Sequence, residues 1–330
     1  MKCHIYAPAS VTSAVTMDKR RMAPKRGETM PNAFRIVTIG DSIIWGQGLL
    51  PNEKFNTLVQ QALLPAHPEG VTLESVAHSG AVICATGVSG TPQVGEVPAS
   101  RLSIIEQCDG YANSPDTVDL VIMNGGINDV GVATILNPLA LIPSIEVRVT
   151  RACHDGMLVL LNKVSAKFPK PTCKILVTGY YPILSAKSDP VGVSKLLSLY
   201  GVAIPGFLDN DLDFINPVLA RCEAFFNDST QQLVKAVADG GDARITFVPS
   251  GFTDDNSVFV PNTSLLWGLN LNDDLDPQDP VAAARHPLCD AAHPDPLEVL
   301  DRELCYRASA GHPNVEGAVQ FSKQVLAALI

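Results

Sequence analysis

Five short β-rich apolar runs, each followed by a stretch with helical spacing, constrain this chain more than any other feature. The runs are FRIVTIG (34–40), VTLESVA (71–77), TVDLVIMNGG (117–126), CKILVTGYY (173–181) and RITFVPS (244–250). Helical spacing follows over about 53–64, 98–108, 143–168, 212–238 and 315–329. Strand and helix in strict alternation predict an α/β protein, a parallel sheet covered by helices on both faces. With no internal repeat and no low-complexity linker, residues 34–330 are expected to form one domain. Two connections, 182–211 and 251–311, are too long for simple turns and are expected to be lids or binding loops.

Charge narrows the choice of partner. A net charge of −10 and a pI near 5.1 argue against nucleic acid, which needs clustered Lys and Arg. Such a cluster occurs once, at Lys19, Arg20, Arg21, Lys25 and Arg26, without apolar periodicity, so 1–33 reads as a solvated, disordered tail. That tail lacks the apolar core of a secretory signal, and no later run is long enough to span a bilayer. The default expectation is therefore a cytoplasmic protein, or a secreted one if the start is misassigned; Met17, Met22 and Met30 are alternative starts. The eight cysteines form no C-x-x-C pair, which removes support for zinc or thioredoxin-like chemistry. Most lie in apolar stretches and read as buried thiols. Cys289 and Cys305 flank a loop-like segment and are the pair suited to a disulfide in an exported protein.

In open α/β sheets ligands bind beyond the carboxyl ends of the strands, and the polar residues that break the apolar pattern gather there. The first run ends in Gly40-Asp41-Ser42, the second in His78-Ser79-Gly80, the third in Gly125-Gly126-Ile127-Asn128-Asp129. Each alone reads as ordinary turn chemistry; three at one sheet edge point to a site. Ser42 would open a helix, where free N–H groups favour developing negative charge, although Ser is also a good N-cap. N–H groups of Ser42 and Gly80 and the Asn128 amide would supply oxyanion donors. Asp41 and Asp129 flank tight turns and are expected to hold local backbone rather than to react.

A serine nucleophile needs a base. Of seven histidines, His312 stands in Gly311-His312-Pro313-Asn314, directly before the last helical stretch. His4 and His67 read as surface residues, His78 as shaping the pocket, His154 as part of a helix, and His286 and His293 as belonging to the long insertion.

With these residues in view the chain resembles the GDSL esterases and lipases, the SGNH hydrolases. GDSIIWGQG carries Ser42, AHSGA carries Gly80, GIND carries Asn128 and GHPNVEG carries His312, in the family's order over 34–328. The resemblance implies a flavodoxin-like three-layer α/β/α sandwich on a five-stranded parallel sheet. It implies ester hydrolysis without metal or cofactor, with a small-molecule ester as substrate. Ser42 would be the nucleophile, His312 the base, and Ser42, Gly80 and Asn128 the oxyanion donors.

One position departs from the family, which places an aspartate three residues before the histidine; here it is Ser309. Asp290-Ala291-Ala292-His293 has that spacing but lacks the context leading into the last helix, so His312 is preferred. Three arrangements could orient His312: a backbone carbonyl of the long insertion, a distant acid such as Asp290, Asp301 or Glu303, or the Ser309 hydroxyl. The carbonyl-assisted dyad is the preferred one.

Substrate class is read from apolar neighbours. Ile43, Ile44 and Trp45 follow the nucleophile, and Phe252, Phe259, Leu265, Leu266 and Trp267 lie in the long insertion. Trp45 and Trp267 are the expected substrate contacts, with a satellite core as the alternative for the insertion. The lean is towards short- to medium-chain acyl esters. A carbohydrate O-deacetylase is the alternative, disfavoured by an aromatic content of 6%; a phospholipase or lipase, or a non-catalytic binding protein on the same fold, stands behind it.

Overall fold

The five apolar runs become five strands: β1 Phe34–Ile39, β2 Val71–Ser75, β3 Leu120–Met123, β4 Lys174–Thr178 and β5 Ile245–Val248. A computed structural model describes residues 33–84, 95–98, 102–200, 212–271 and 276–330. The predicted tail, but for its last residue, lies outside these, as do 201–211 of the first insertion.

All strands pair in parallel, in the order β2-β1-β3-β4-β5. This is the flavodoxin-like order, whose direction of growth reverses beside β1. Every residue of β3 is buried, as expected of a central strand covered on both faces.

The helices are α1 Ser42–Trp45, α2 Phe55–Leu63, α3 Ile104–Gly110, α4 Ile127–Val130, α5 Val132–Ile135, α6 Ile142–Val149, α7 Met157–Lys167, α8 Pro190–Leu199, α9 Leu212–Gly240, α10 Ala282–Ala292, α11 Val299–Tyr306 and α12 Val315–Ala327. A π-helical turn, Thr150–Gly156, joins α6 to α7, so the predicted helix over 143–168 is one continuous but wider-wound element. The helix expected at 98–108 starts later, where Ser103 and Glu106 form a capping box. α2 packs on α12, while α3, α7 and α9 pack in a row; right-handed crossovers in opposite directions from β1 and β3 place these groups on opposite faces. No helix among the described residues is long and apolar enough to cross a membrane.

The insertions are more ordered than loops. The first contains α8, and the second contains α10 and α11, joined by the Cys289–Cys305 disulfide. Phe252 and Leu266 are buried in the main core, and Phe259, Leu265 and Trp267 pack against it. The satellite core lies elsewhere in the insertion, where Val97 packs with the disulfide. Cys108, Cys153, Cys173 and Cys222 are free and buried, as their apolar surroundings predict.

Candidate active site

The site begins with the turn that ends β1. Asp41 caps α1, its Oδ1 accepting the Ile43 N–H at 2.9 Å. The same carboxylate accepts the Asn124 amide at 2.9 Å and the Tyr180 hydroxyl at 3.1 Å, and Tyr180 Oη in turn accepts the Ile127 N–H at 2.9 Å. Burial pushes the pKa of Asp41 up, against these hydrogen bonds, which favour the anion. Asp41 is thus a structural knot tying the end of β1 to β3 and β4. Asp129 also holds backbone, but at long range. Its carboxylate accepts the Ile83 N–H at 3.0 Å, and burial raises its pKa to about 6.

Ser42, at the first position of α1, is nearly buried. Its Oγ lies 2.7 Å from His312 Nε2, across 270 residues of sequence. Gly80 sits in the loop after β2 with φ +78°, a left-handed conformation that glycine adopts without strain. Among the described residues no hydrogen bond claims the backbone N–H of Ser42 or of Gly80. Asn128 donates one amide hydrogen to the Ala81 carbonyl at 2.9 Å, which fixes the orientation of the amide.

Ser42, Gly80, Asn128 and His312 line one cavity of about 320 Å³. Val132, Leu136, Ile183, Leu196 and Leu199 make much of the rest of the lining aliphatic, with Tyr181 and Tyr200 among them. His293, Asp301 and Arg307 add polar groups from the disulfide-linked α10–α11 pair. A neutral imidazole beside a hydroxyl, with unclaimed N–H groups at one end of an apolar cleft, can take a proton from the hydroxyl and hold an oxyanion.

His312 is held through its backbone. Its N–H donates to the Ser309 carbonyl at 2.8 Å, and its carbonyl accepts the Trp267 N–H at 2.7 Å. Tyr181 Oη donates to the Gly311 carbonyl at 2.9 Å. Among the described residues no side chain orients the ring from behind, since Nδ1 is buried without a hydrogen-bond partner there. The carbonyls of Ser309, Ala310 and Ala308 face the ring short of hydrogen-bonding geometry; they favour its charged form, but burial dominates and lowers its pKa to about 4.

The distant acids do not reach His312. Asp290 accepts the Tyr306 hydroxyl, Glu303 pairs with Arg307, and Asp301 stays at the cavity. The Ser309 hydroxyl points the other way, donating to Asp279. Both tryptophans lie outside the cavity lining. Trp45 bonds Glu96 and lies under Lys54, and Trp267 packs on the core beside Gly48. Each is drawn off by a partner distant in sequence. His78 stacks near Trp45, with its Nδ1 2.9 Å from the Ser79 carbonyl.

No family model and no curated protein matches the chain. Solved structures do. An extracellular lipase from Streptomyces rimosus superposes with a TM-score of 0.50 at 16% identity, over 90% of this chain and 100% of that one. A phospholipase A1 from Streptomyces albidoflavus gives 0.48 at 15% identity, over 90% and 99% of the two chains. A lipase from a goat rumen metagenome gives 0.49 at 12%, over 90% and 97%. The likeness to the Streptomyces rimosus lipase shows the fold. It is the three-layer sandwich that the four motifs imply.

Sequence reasoning missed Asn124, Tyr180 and Asp279, which act on site residues from outside the motifs. Asn124 has a local signal, a polar residue ending the all-apolar β3. Tyr180 and Asp279 have none.

Proposed function

We propose that this chain is a serine esterase hydrolysing short- to medium-chain carboxylic esters. The observation that carries the proposal is the 2.7 Å contact of Ser42 and His312 at the polar end of an aliphatic cavity. The substrate carbonyl carbon would lie beside Ser42 Oγ with its acyl chain along Val132, Leu136 and Leu196. Ser42 Oγ attacks that carbon while its proton passes to His312 Nε2. The oxyanion accepts from the N–H groups of Ser42 and Gly80 and from the Asn128 amide. The imidazolium then protonates the leaving alcohol, and the acyl group stays on Ser42. A water, deprotonated by the same imidazole, releases the acid and restores the hydroxyl. Burial keeps His312 neutral, so the base is ready without an acid behind it.

The aliphatic share of the lining, from Val132, Leu136, Ile183, Leu196 and Leu199, favours acyl esters over acetylated carbohydrate, which calls for a polar groove with exposed aromatics. Hydrolysis of p-nitrophenyl acetate and octanoate beside acetylated xylan separates these readings. Ser42→Ala is expected to lower kcat on the p-nitrophenyl esters by about 10⁴-fold or more without loss of fold by circular dichroism. Equal inactivity of wild type and variant on every ester would leave a binding protein in its place.

A further inference from the structure

Behind His312, residues from outside the four motifs close around its loop. Arg285 on α10 is fully buried, and its guanidinium donates to the two Asp279 oxygens at 2.6 and 3.2 Å and to the Tyr306 carbonyl at 2.8 Å. Two charges withdrawn from water return little net stability, so the pair is expected to serve another purpose. The Ser309 hydroxyl donates to Asp279 Oδ2, and the Ser309 carbonyl accepts the His312 N–H at 2.8 Å. Asp279 therefore reaches His312 through one residue, the one standing where an aspartate was expected.

The network continues to the nucleophile's side. Glu96 lies 4.0 Å from Arg285 and accepts from Trp45 Nε1, Gln47 Nε2 and the Gly48 N–H at 3.1, 2.7 and 2.9 Å. Lys54 stands 3.8 Å from Glu96. A Cβ on Gly48 would fall 2.7 Å from Ser309 Cβ, so the segment after Ser42 presses directly on the loop that carries His312. Arg285 and Lys54 thus balance Asp279 and Glu96 in one continuous set of groups that runs from the segment after Ser42 to the loop before His312.

We propose that Asp279 is the positioning residue of the Ser42–His312 pair, fixing the 309–312 turn through the Ser309 hydroxyl and setting its carboxylate against the buried Arg285 guanidinium. The proposal rests on the hydrolase reading above. Arg285 disfavours the imidazolium, and the Asp279 carboxylate pairs with that guanidinium at 2.6 Å.

Ser309→Ala cuts the link and keeps the buried ion pair, whereas Asp279→Asn keeps the shape and removes the charge. Both are compared with wild type by kcat and KM on p-nitrophenyl acetate, per active serine titrated with a fluorophosphonate. The His312 imidazole is also titrated by nitrogen NMR. Both variants are expected to lose about 10-fold or more in kcat, with KM changed by less than about twofold. The His312 midpoint is expected to fall in Asp279→Asn. Should Asp279→Asn fail to fold, Ser309→Ala decides through the kcat and KM split. Wild-type kcat in Ser309→Ala, or an unmoved midpoint in folded Asp279→Asn, would overturn the proposal. If wild type itself hydrolysed no ester, the esterase reading would fall, while the His312 midpoint would still decide the role of Asp279.

Discussion

A histidine buried without a side-chain partner on its far nitrogen has its charge state set by desolvation, and among the described residues His312 has no such partner. Its pKa, ordinarily near 6.5, lies at about 4, chiefly through burial. In the proposed esterase the neutral form is the base, so activity at pH 7 would be retained on acidification until the folded-state pKa is reached. We expect kcat/KM for p-nitrophenyl acetate to be flat from pH 7 to about 5, with its acid limb near 4. A limb at 6.5 would mean that a carboxylate, or water, attends the ring. The same shift bears on stability with a definite sign. The unfolded chain takes up the His312 proton below about 6.5 and the folded chain only near 4, so this residue's contribution is lost as pH falls between them. Asp129 acts in the opposite sense. Its folded pKa is raised to about 6, so the folded state holds the proton more tightly and this group's contribution declines as pH rises to that value.

At the scale of elements, the second insertion departs most from expectation. Its Pro, Asp and Asn content predicts loop, yet α10 and α11 form there and carry Arg285 and part of the cavity wall. These helices have only a small core of their own, Val97 with Cys289 and Cys305, and the disulfide spans 16 residues. A loop of that length closed by a cross-link is stabilised by roughly 3 kcal/mol. Replacing both Cys289 and Cys305 by Ser is therefore expected to lower the thermal midpoint and to open 282–306 to limited proteolysis. An unchanged melt and digestion pattern would show that packing alone holds the hairpin.

Across the whole molecule, the C-terminal helix couples stability to the site. Phe321 of α12 is fully buried, with ring centroids 5.6 Å from Phe55, 5.3 Å from Phe252 and 6.0 Å from Tyr181. These partners come from α2, the long insertion and the segment after β4, and Tyr181 also donates to the Gly311 carbonyl beside His312. Phe321→Ala should cost about 3–5 kcal/mol in urea unfolding, and kcat should fall with it as Tyr181 loses its backing. A stability loss below 1 kcal/mol would show that this junction is not central.

The strands, the three polar strand ends and the GHPNVEG segment were legible because each is a local pattern. Side-chain alternation and helical spacing depend on neighbours within a few residues, and so do the turns that end β1, β2 and β3. The sequence by itself therefore determined the α/β class, the edge at which polar residues gather, and the four residues that meet there. It left the disulfide state of Cys289 and Cys305 open, and the fold joins them. Only the tertiary structure decided what surrounds them. Tyr180 reaches Asp41 across 139 residues and Ser309 reaches Asp279 across 30. Trp45 turns to Glu96 across 51, and neither tryptophan lines the cavity. Such contacts follow from which surfaces the packed sheet and insertion bring together, and no spacing in the chain encodes them. The missing aspartate before His312 shows the limit clearly. Position 309 reads as a loss in the sequence, while in the fold its hydroxyl meets a buried carboxylate held by Arg285.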